Sequence, residues 1–99
     1  MTINKIKNDN ELTVLLEGRL DTTTAPELET ELRQNMEGIE CLILDMEELV
    51  YLSSAGLRVI LGAQKQMNKQ GKLLVRHVND TIMEVFEVTG FTDILTIEN

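Results

Sequence analysis

The sequence predicts an α/β fold in which a mixed sheet of four to five strands is covered by three to four helices. Short apolar runs of strand length, at residues 41–44 and 73–75, alternate with longer stretches whose apolar residues recur at helical spacing. Glycines at 38, 71 and 90 follow those stretches, where helices commonly end. Parallel strands joined through helices require right-handed crossovers, so this order predicts a layered α/β domain.

The first two strands are predicted at residues 2–7 and 12–17. Between them lies Asn8-Asp9-Asn10-Glu11, a segment rich in turn-forming residues. Leu12, Val14 and Leu16 alternate with other residues, as is typical of a half-buried strand. The simplest interpretation is an N-terminal hairpin.

A first helix is predicted to begin at Thr24-Ala25-Pro26-Glu27, which matches a capping box with proline in the first turn. It should run to about Met36, because Leu28, Leu32 and Met36 share one helical face. Gly38 then supplies a left-handed C-terminal cap.

The next strand, Cys41-Leu42-Ile43-Leu44, is continuously apolar, which favours a central strand covered on both faces. A second helix should run from about Ser54 to Gln70. Its inner face would carry Gly56, Ile60, Ala63 and Met67, and its outer face Arg58, Lys65 and Lys69.

Gly62 falls on the polar side of this second helix. A glycine inside a helix costs about 0.5–1 kcal/mol relative to alanine. Gly62 therefore indicates either close approach by a partner or simple tolerance.

The C-terminal part begins with Gly71, which should end the second helix, and a strand at residues 73–75. Asn79 or Asp80 then opens a short helix through Ile82, Val85 and Phe86, which Gly90 closes. Residues 94–97 form either a last edge strand or a tail packed on the fold.

Length and composition predict one domain over residues 1–99 that folds without disulfides or metal. Cys41 has no disulfide partner and should be a small core residue of a cytoplasmic protein. We expect neither a signal peptide nor a membrane span. A net charge of −8 and the absence of Trp argue against nucleic acid as a partner, and the acidic surface predicts a monomer.

No catalytic constellation is evident, so an enzyme and a cofactor are not expected. His77 is the one histidine, and it has no second histidine or cysteine at ligand spacing, so no metal site is predicted. Neither a phosphate-binding glycine loop nor a Gly-x-Ser-x-Gly turn is present.

Ser53 and Ser54 lie where a buried strand is predicted to end and the second helix to begin. Helix N-termini leave backbone N–H groups unpaired and carry the positive end of the macrodipole, so they stabilise anions, including a phosphate on a side chain. Serine is also among the best N-cap residues, and one of the pair should serve as a cap.

Residues 51–61 (YLSSAGLRVIL), together with GRLD at 18–21 and LILD at 42–45, resemble the anti-sigma factor antagonists, small bacterial proteins built as a single STAS domain. The resemblance covers most of the chain. It implies a STAS-like fold and reversible phosphorylation of Ser54, with Ser53 as the second candidate because the family often has aspartate there. It also implies a partner surface made of Asp21, Thr22, Ser53, Ser54, Ala55, Gly56, Arg58 and Gly62.

By the same resemblance, the unphosphorylated protein would bind an anti-sigma factor that is also a serine kinase and would release the sigma factor. A PP2C-type phosphatase would reset the switch. Two alternatives stay open: a STAS docking subunit of a lipid-transporting ABC complex, and a small phosphocarrier that uses His77.

Overall fold

The computed structural model describes residues 1–98 and has a five-stranded sheet with three α-helices. The strand order is β1-β2-β3-β4-β5; β1 and β2 are antiparallel, and the other neighbours are parallel. The predicted α/β class and mixed sheet are confirmed. In chain order the elements are β1 (Thr2–Asn8), β2 (Glu11–Leu20), α1 (Ala25–Asn35), β3 (Cys41–Leu52), α2 (Ser54–Gln70), β4 (Lys72–Arg76), α3 (Asp80–Thr89), a 3₁₀ turn (Phe91–Asp93) and β5 (Thr96–Glu98).

The N-terminal hairpin is confirmed. Asn8 pairs with Glu11 at its end, so Asp9 and Asn10 form the turn. Asp9 adopts φ 57°, a left-handed conformation that Asn and Asp tolerate better than most residues. The local turn chemistry therefore sets the register of β1 on β2.

The core lies against one face of the sheet. Leu12 and Val14 of β2 and Leu42 and Leu44 of β3 join one buried cluster with residues of all three α-helices. The strand at residues 41–44 is central, as predicted, but the prediction that both of its faces are covered is wrong as far as helices are concerned, since they pack on one face. Ile43, on the opposite face, is still only 2% exposed, with Thr13 and Leu74 as its register partners.

Cys41 lies on that opposite face and is half-buried, so its prediction as a core residue is also wrong. Its partial burial raises the pKa of the thiol.

β3 is much longer than the apolar run at residues 41–44 from which it was predicted. Its first five residues, Cys41 to Asp45, pair with β4, while the strand continues along β2 to Leu52 through two register shifts. The acidic residues Glu47 and Glu48 interrupt the apolar pattern there, which hid the extension from sequence analysis. The part of β3 that extends beyond its pairing with β4, residues 46–52, leads directly to Ser53.

α1 begins without the predicted capping box. The Thr24 hydroxyl accepts a hydrogen bond from the Asp21 N–H (2.8 Å) and donates one to the Arg19 carbonyl (2.7 Å), so it is not available as a cap. Asp21 Oδ1 instead accepts from the N–H groups of Thr23 and Thr24. The helix ends at Asn35 with Met36 as its C-cap. Gly38 has the predicted left-handed φ, 80°, but it lies two positions after the C-cap, in the following turn.

The two C-terminal helices have the predicted bounds. α2 spans Ser54–Gln70, and Asn79 caps α3 by accepting a hydrogen bond from the Ile82 N–H. Gly90 ends α3 with φ 80°. The chain end is an edge strand, β5, preceded by a 3₁₀ turn that the sequence did not predict. Within residues 1–98, none of the helices is both long enough and apolar enough to cross a membrane.

Candidate functional site

Ser53 and Ser54 lie at the junction of β3 and α2. Ser53 is the N-cap residue in extended conformation, and its N–H donates to the Leu20 carbonyl at 2.9 Å. Its hydroxyl makes no capping hydrogen bond; the oxygen is buried and without a partner among residues 1–98. Ser53 therefore occupies the N-cap position that one of the serines was predicted to fill, but its side chain makes no capping hydrogen bond.

Ser54 is the first residue of α2 and is exposed to solvent. No side chain caps the helix, and no acidic residue lies in its first turn. An anion on the Ser54 hydroxyl would therefore meet unpaired N–H groups and the positive end of the helix dipole. The position can accept a phosphoryl group without displacing any internal contact of the Ser54 hydroxyl.

Gly56 fixes the first turn of α2 against the sheet. A Cβ at this position would stand 2.6 Å from Leu20 Cγ and 2.8 Å from Leu52 Cδ1, closer than carbon atoms can approach. The last side chains of β2 and β3 therefore pack directly under the helix backbone. This packing sets the position of Ser54, two residues earlier.

Asp21 follows Leu20 and so lies next to the serine junction, but much of its side chain is used internally. The Thr23 hydroxyl donates to Asp21 Oδ1 at 2.8 Å and lowers the pKa of the carboxyl. Partial burial opposes this shift, and the N–H groups of Thr24 and Thr23 lower the pKa further. Asp21 therefore stabilises the turn into α1, while Thr22 beside it is exposed.

Arg19 and Tyr51 form a contact that sequence analysis missed. The Arg19 guanidinium lies 4.1 Å from the centre of the Tyr51 ring, and its Nε is 3.6 Å from Asp21 Oδ2. Tyr51 is 41% exposed, three residues before Ser54. The two residues become register partners only after the second shift between β2 and β3, next to Gly18 at φ 105°. The one available signal was an aromatic residue beside the serines.

Two of the predicted partner residues on α2, Arg58 and Gly62, line a groove between α1 and α2, whereas Ser54 and Gly56 do not. The groove has a volume of about 810 Å³, and its walls include both Arg58 and Gly62. A smaller depression lined by Thr22, Ala55 and Arg58 adjoins it. The structure thus brings together Thr22, Ala55, Arg58 and Gly62 on one continuous surface. A Cβ at Gly62 would meet nothing within 4 Å, so internal packing does not require glycine there.

His77 lies apart from this surface. It follows β4 in left-handed conformation (φ 57°), and its Nδ1 is 3.0 Å from Asp45 Oδ2. α3 begins three residues later, at Asp80, after the Asn79 cap. His77 therefore does not open a helix, which is the position that the phosphocarrier hypothesis requires.

Curated relatives resemble the chain over its whole length. An anti-sigma-B factor antagonist of Listeria monocytogenes is 34% identical over 98 residues, which is 96% of this chain and 85% of that protein. BtrV of Bordetella bronchiseptica, provisionally named an anti-sigma factor antagonist, is 38% identical over 101 residues. This match covers 100% of this chain and 85% of BtrV.

Solved structures show the same fold. The anti-sigma factor antagonist SpoIIAA in its unphosphorylated form superposes with a TM-score of 0.79 at 15% identity, covering 99% of this chain and 88% of that one. The phosphorylated form of Bacillus SpoIIAA gives a TM-score of 0.77 at 16% identity, covering 99% and 92%. The STAS domain model matches residues 2–99. This chain belongs to the STAS domain family.

Proposed function

We propose that this chain is an anti-sigma factor antagonist controlled by phosphorylation of Ser54. Its unphosphorylated form binds an anti-sigma factor of the serine-kinase type, which then releases its sigma factor. The kinase activity of that partner phosphorylates Ser54 and ends the binding, and a PP2C-type phosphatase restores it in the cytoplasm. The names of the curated relatives and the accessible hydroxyl at the start of α2 support this proposal.

The observation that carries the choice of Ser54 is the contrast between the two hydroxyls. Ser54 is exposed, whereas the Ser53 oxygen is buried and without a hydrogen-bond partner in the described part of the chain. Phosphoryl transfer requires the accepting oxygen to approach the γ-phosphate of ATP in line with the leaving oxygen. The Ser54 oxygen can be approached in this way without rearrangement of the junction, and the Ser53 oxygen cannot.

Phosphorylation would oppose binding through charge and desolvation. A phosphoserine carries about −1.5 to −2 charges at neutral pH. In the free protein this charge stays hydrated beside the uncapped N-terminus of α2, where it is favourable. A partner that covers Ser54 must remove that water, and an unpaired desolvated charge costs several kcal/mol, enough to weaken affinity by about a hundredfold or more.

The partner surface that we propose surrounds this serine. It consists of Asp21, Thr22, Ser53, Ser54, Ala55, Gly56, Arg58 and Gly62. Asp21 and Gly56 contribute mainly by holding the backbone, since Asp21 bonds to the turn before α1 and Gly56, in the first turn of α2, is buried against Leu20 and Leu52. Thr22, Ser54, Arg58 and Gly62 are exposed and available for contact.

The test compares two serine variants against one kinase. The wild-type chain, Ser54→Ala and Ser53→Ala are incubated with ATP and a serine-kinase anti-sigma factor from the same genome. We expect phosphate incorporation in the wild type and Ser53→Ala and none in Ser54→Ala, which should still bind the kinase because its surface shape is unchanged. If phosphate incorporation were lost in Ser53→Ala and kept in Ser54→Ala, the phosphorylated residue would be Ser53. No binding of any form to the kinase would refute the proposed function.

A further inference from the structure

Three side chains able to bind a metal come together where β3 passes the end of β4. His77 Nδ1 lies 3.0 Å from Asp45 Oδ2 and 3.8 Å from Glu47 Oε2. One ligand atom from each of the three lies within 4.8 Å of the other two. Asp45 is seven positions before Leu52 on β3, a distance of roughly 20 Å along a strand, so this cluster is separate from the serine junction.

The separations of the ligand atoms fit coordination to one ion. Two ligands bound at about 2.0–2.1 Å are about 2.9 Å apart at an octahedral angle and about 3.3 Å apart at a tetrahedral angle. The His77 and Asp45 atoms already lie within this range at 3.0 Å. Glu47 Oε2 lies 3.8 Å from His77 Nδ1, and the ligand atoms of Glu47 and Asp45 lie within 4.8 Å of each other, so the Glu47 carboxylate, on a side chain that is 67% exposed, has to move by up to about 1.5 Å to reach this spacing.

The surrounding structure orients the aspartate as a ligand. The Asp45 side chain is 16% exposed, and its Oδ1 accepts a hydrogen bond from the Glu47 N–H at 3.0 Å. This bond leaves Oδ2 directed towards His77. Ligating carboxylates are commonly held by such outer hydrogen bonds. Arg76, the register partner of Asp45 on β4, donates instead to Glu98 Oε1 at 2.9 Å.

The donor set indicates the class of metal. One imidazole nitrogen and two carboxylate oxygens suit Zn²⁺ and neighbouring divalent transition ions, whereas Ca²⁺ and Mg²⁺ prefer oxygen ligands alone. The two carboxylates carry two negative charges and a metal-bound imidazole carries none, so a divalent ion would neutralise the site. This charge balance favours binding of a divalent ion. Three protein ligands leave at least one position for water.

We propose that Asp45, Glu47 and His77 bind one divalent transition-metal ion, best matched by Zn²⁺, and that the ion ties the segment between β4 and α3 to β3. The same junction is already held by Asn79, which caps α3 and donates from its side chain to the Leu49 carbonyl at 2.9 Å. A bound ion would add a second link two residues earlier. Its role would be structural, and it does not depend on the proposed function.

The test titrates ZnCl₂ into the full chain after treatment with a chelator, followed by calorimetry and thermal melting. His77→Asn removes the imidazole while asparagine tolerates the left-handed backbone at this position. Glu47→Gln removes one ligand charge without changing the side-chain shape. Glu48→Gln is the matched control, because Glu48 is the next residue on β3 and is also exposed.

We expect saturable binding of one Zn²⁺ per chain and a raised melting temperature in the wild type and in Glu48→Gln. Both effects should be lost in His77→Asn and in Glu47→Gln, and a large excess of Mg²⁺ should not compete. The absence of saturable binding to the wild type would overturn the site. Equal binding by all four proteins would also overturn it, because the metal would then lie elsewhere, for example on Cys41 or the acidic surface.

Discussion

At the scale of single residues, phosphorylation of Ser54 should leave the fold intact. The phosphate would stand at an uncapped helix N-terminus with no acid in its first turn, which stabilises it by a few tenths to about 1 kcal/mol. Repulsion from Asp21, the acid that follows Leu20, reduces this gain. We expect the melting temperature of the phosphorylated form to equal or slightly exceed that of the unmodified form, with changes in amide NMR spectra confined to residues around 19–22 and 51–58. A large fall in melting temperature, or spectral changes throughout the sheet, would show that phosphorylation acts through a conformational change.

The positions of individual functional residues could be predicted only where they follow from the sequence immediately around them. Strand and helix periodicity places Ser54 at a helix start and Gly62 on an outer face, and the resemblance to anti-sigma factor antagonists then singled out Ser54 for phosphorylation. The contact between Arg19 and Tyr51 could not be predicted, since it depends on two register shifts between β2 and β3. Asp45 and His77 are likewise 32 residues apart and meet only through the pairing of β3 with β4.

At the scale of elements, Gly62 inside α2 and Gly71, the C-cap residue that follows it, should respond oppositely to replacement by alanine. Gly71 has extended φ, which any residue adopts, but a Cβ there would stand 1.9 Å from the Glu40 carbonyl oxygen. A Cβ at Gly62 meets nothing within 4 Å. We expect Gly71→Ala to lower the free energy of unfolding by about 1–3 kcal/mol and Gly62→Ala to raise it by about 0.5–1 kcal/mol. Urea denaturation of both variants measures the difference, and equal stability of the two would contradict the packing described at Gly71.

The outer face of α2 can be tested as a binding surface with Gly62→Glu. Glutamate is a better helix former than glycine and has room at this position, so the domain should stay folded. The added charge and bulk would project into the groove between α1 and α2, and affinity for the anti-sigma factor should fall at least about tenfold. Calorimetry measures this, with Gly62→Ala as the control for loss of glycine alone. Normal binding by Gly62→Glu would mean that the partner contacts another surface.

Element positions were predicted well where periodicity was uninterrupted. The bounds of α2 follow from an amphipathic pattern between a serine and a glycine. β3 was cut short because Asp45, Glu47 and Glu48 resemble a loop in sequence, although backbone pairing with β2 continues beneath them. The start of α1 was also misinterpreted, because the Thr24 hydroxyl bonds to the preceding turn and no side chain caps the helix. Asp21 instead accepts hydrogen bonds from the N–H groups of Thr23 and Thr24, just before the helix.

At the scale of the whole molecule, we expect the free protein to be a monomer. Its net charge of −8 opposes self-association. The exposed edge strand β1 carries Lys5 and Lys7, which discourage strand pairing between copies, and the other edge, β5, has only three residues. Sedimentation at micromolar concentration measures this directly. A stable dimer there would contradict this and would direct attention to exposed apolar side chains such as Ile6, Val50 and Val88 as an interface.

The order of the layers was predictable from the alternation of strands and helices, but the covered face of the sheet was not. A continuously apolar strand is expected in a sheet covered on both sides. Here the helices pack on the face of Leu42 and Leu44, and Ile43 on the other face is buried as well, with Thr13 and Leu74 as its register partners. An apolar pattern in the sequence predicts that a side chain is buried, but it does not predict which element covers it.

The close packing of Gly56 on Leu20 and Leu52 has a consequence for how such a protein changes over evolutionary time. A descendant that lost its kinase would no longer be selected to keep serine at position 54, and an exposed first helical residue accepts many replacements. Selection would still favour glycine at position 56, because a Cβ there would force the side chains of Leu20 and Leu52 to move. In such a lineage, glycine at position 56 would indicate that the packing of the helix on the sheet is kept. Serine at position 54, two residues earlier, would indicate that the descendant is still regulated by phosphorylation.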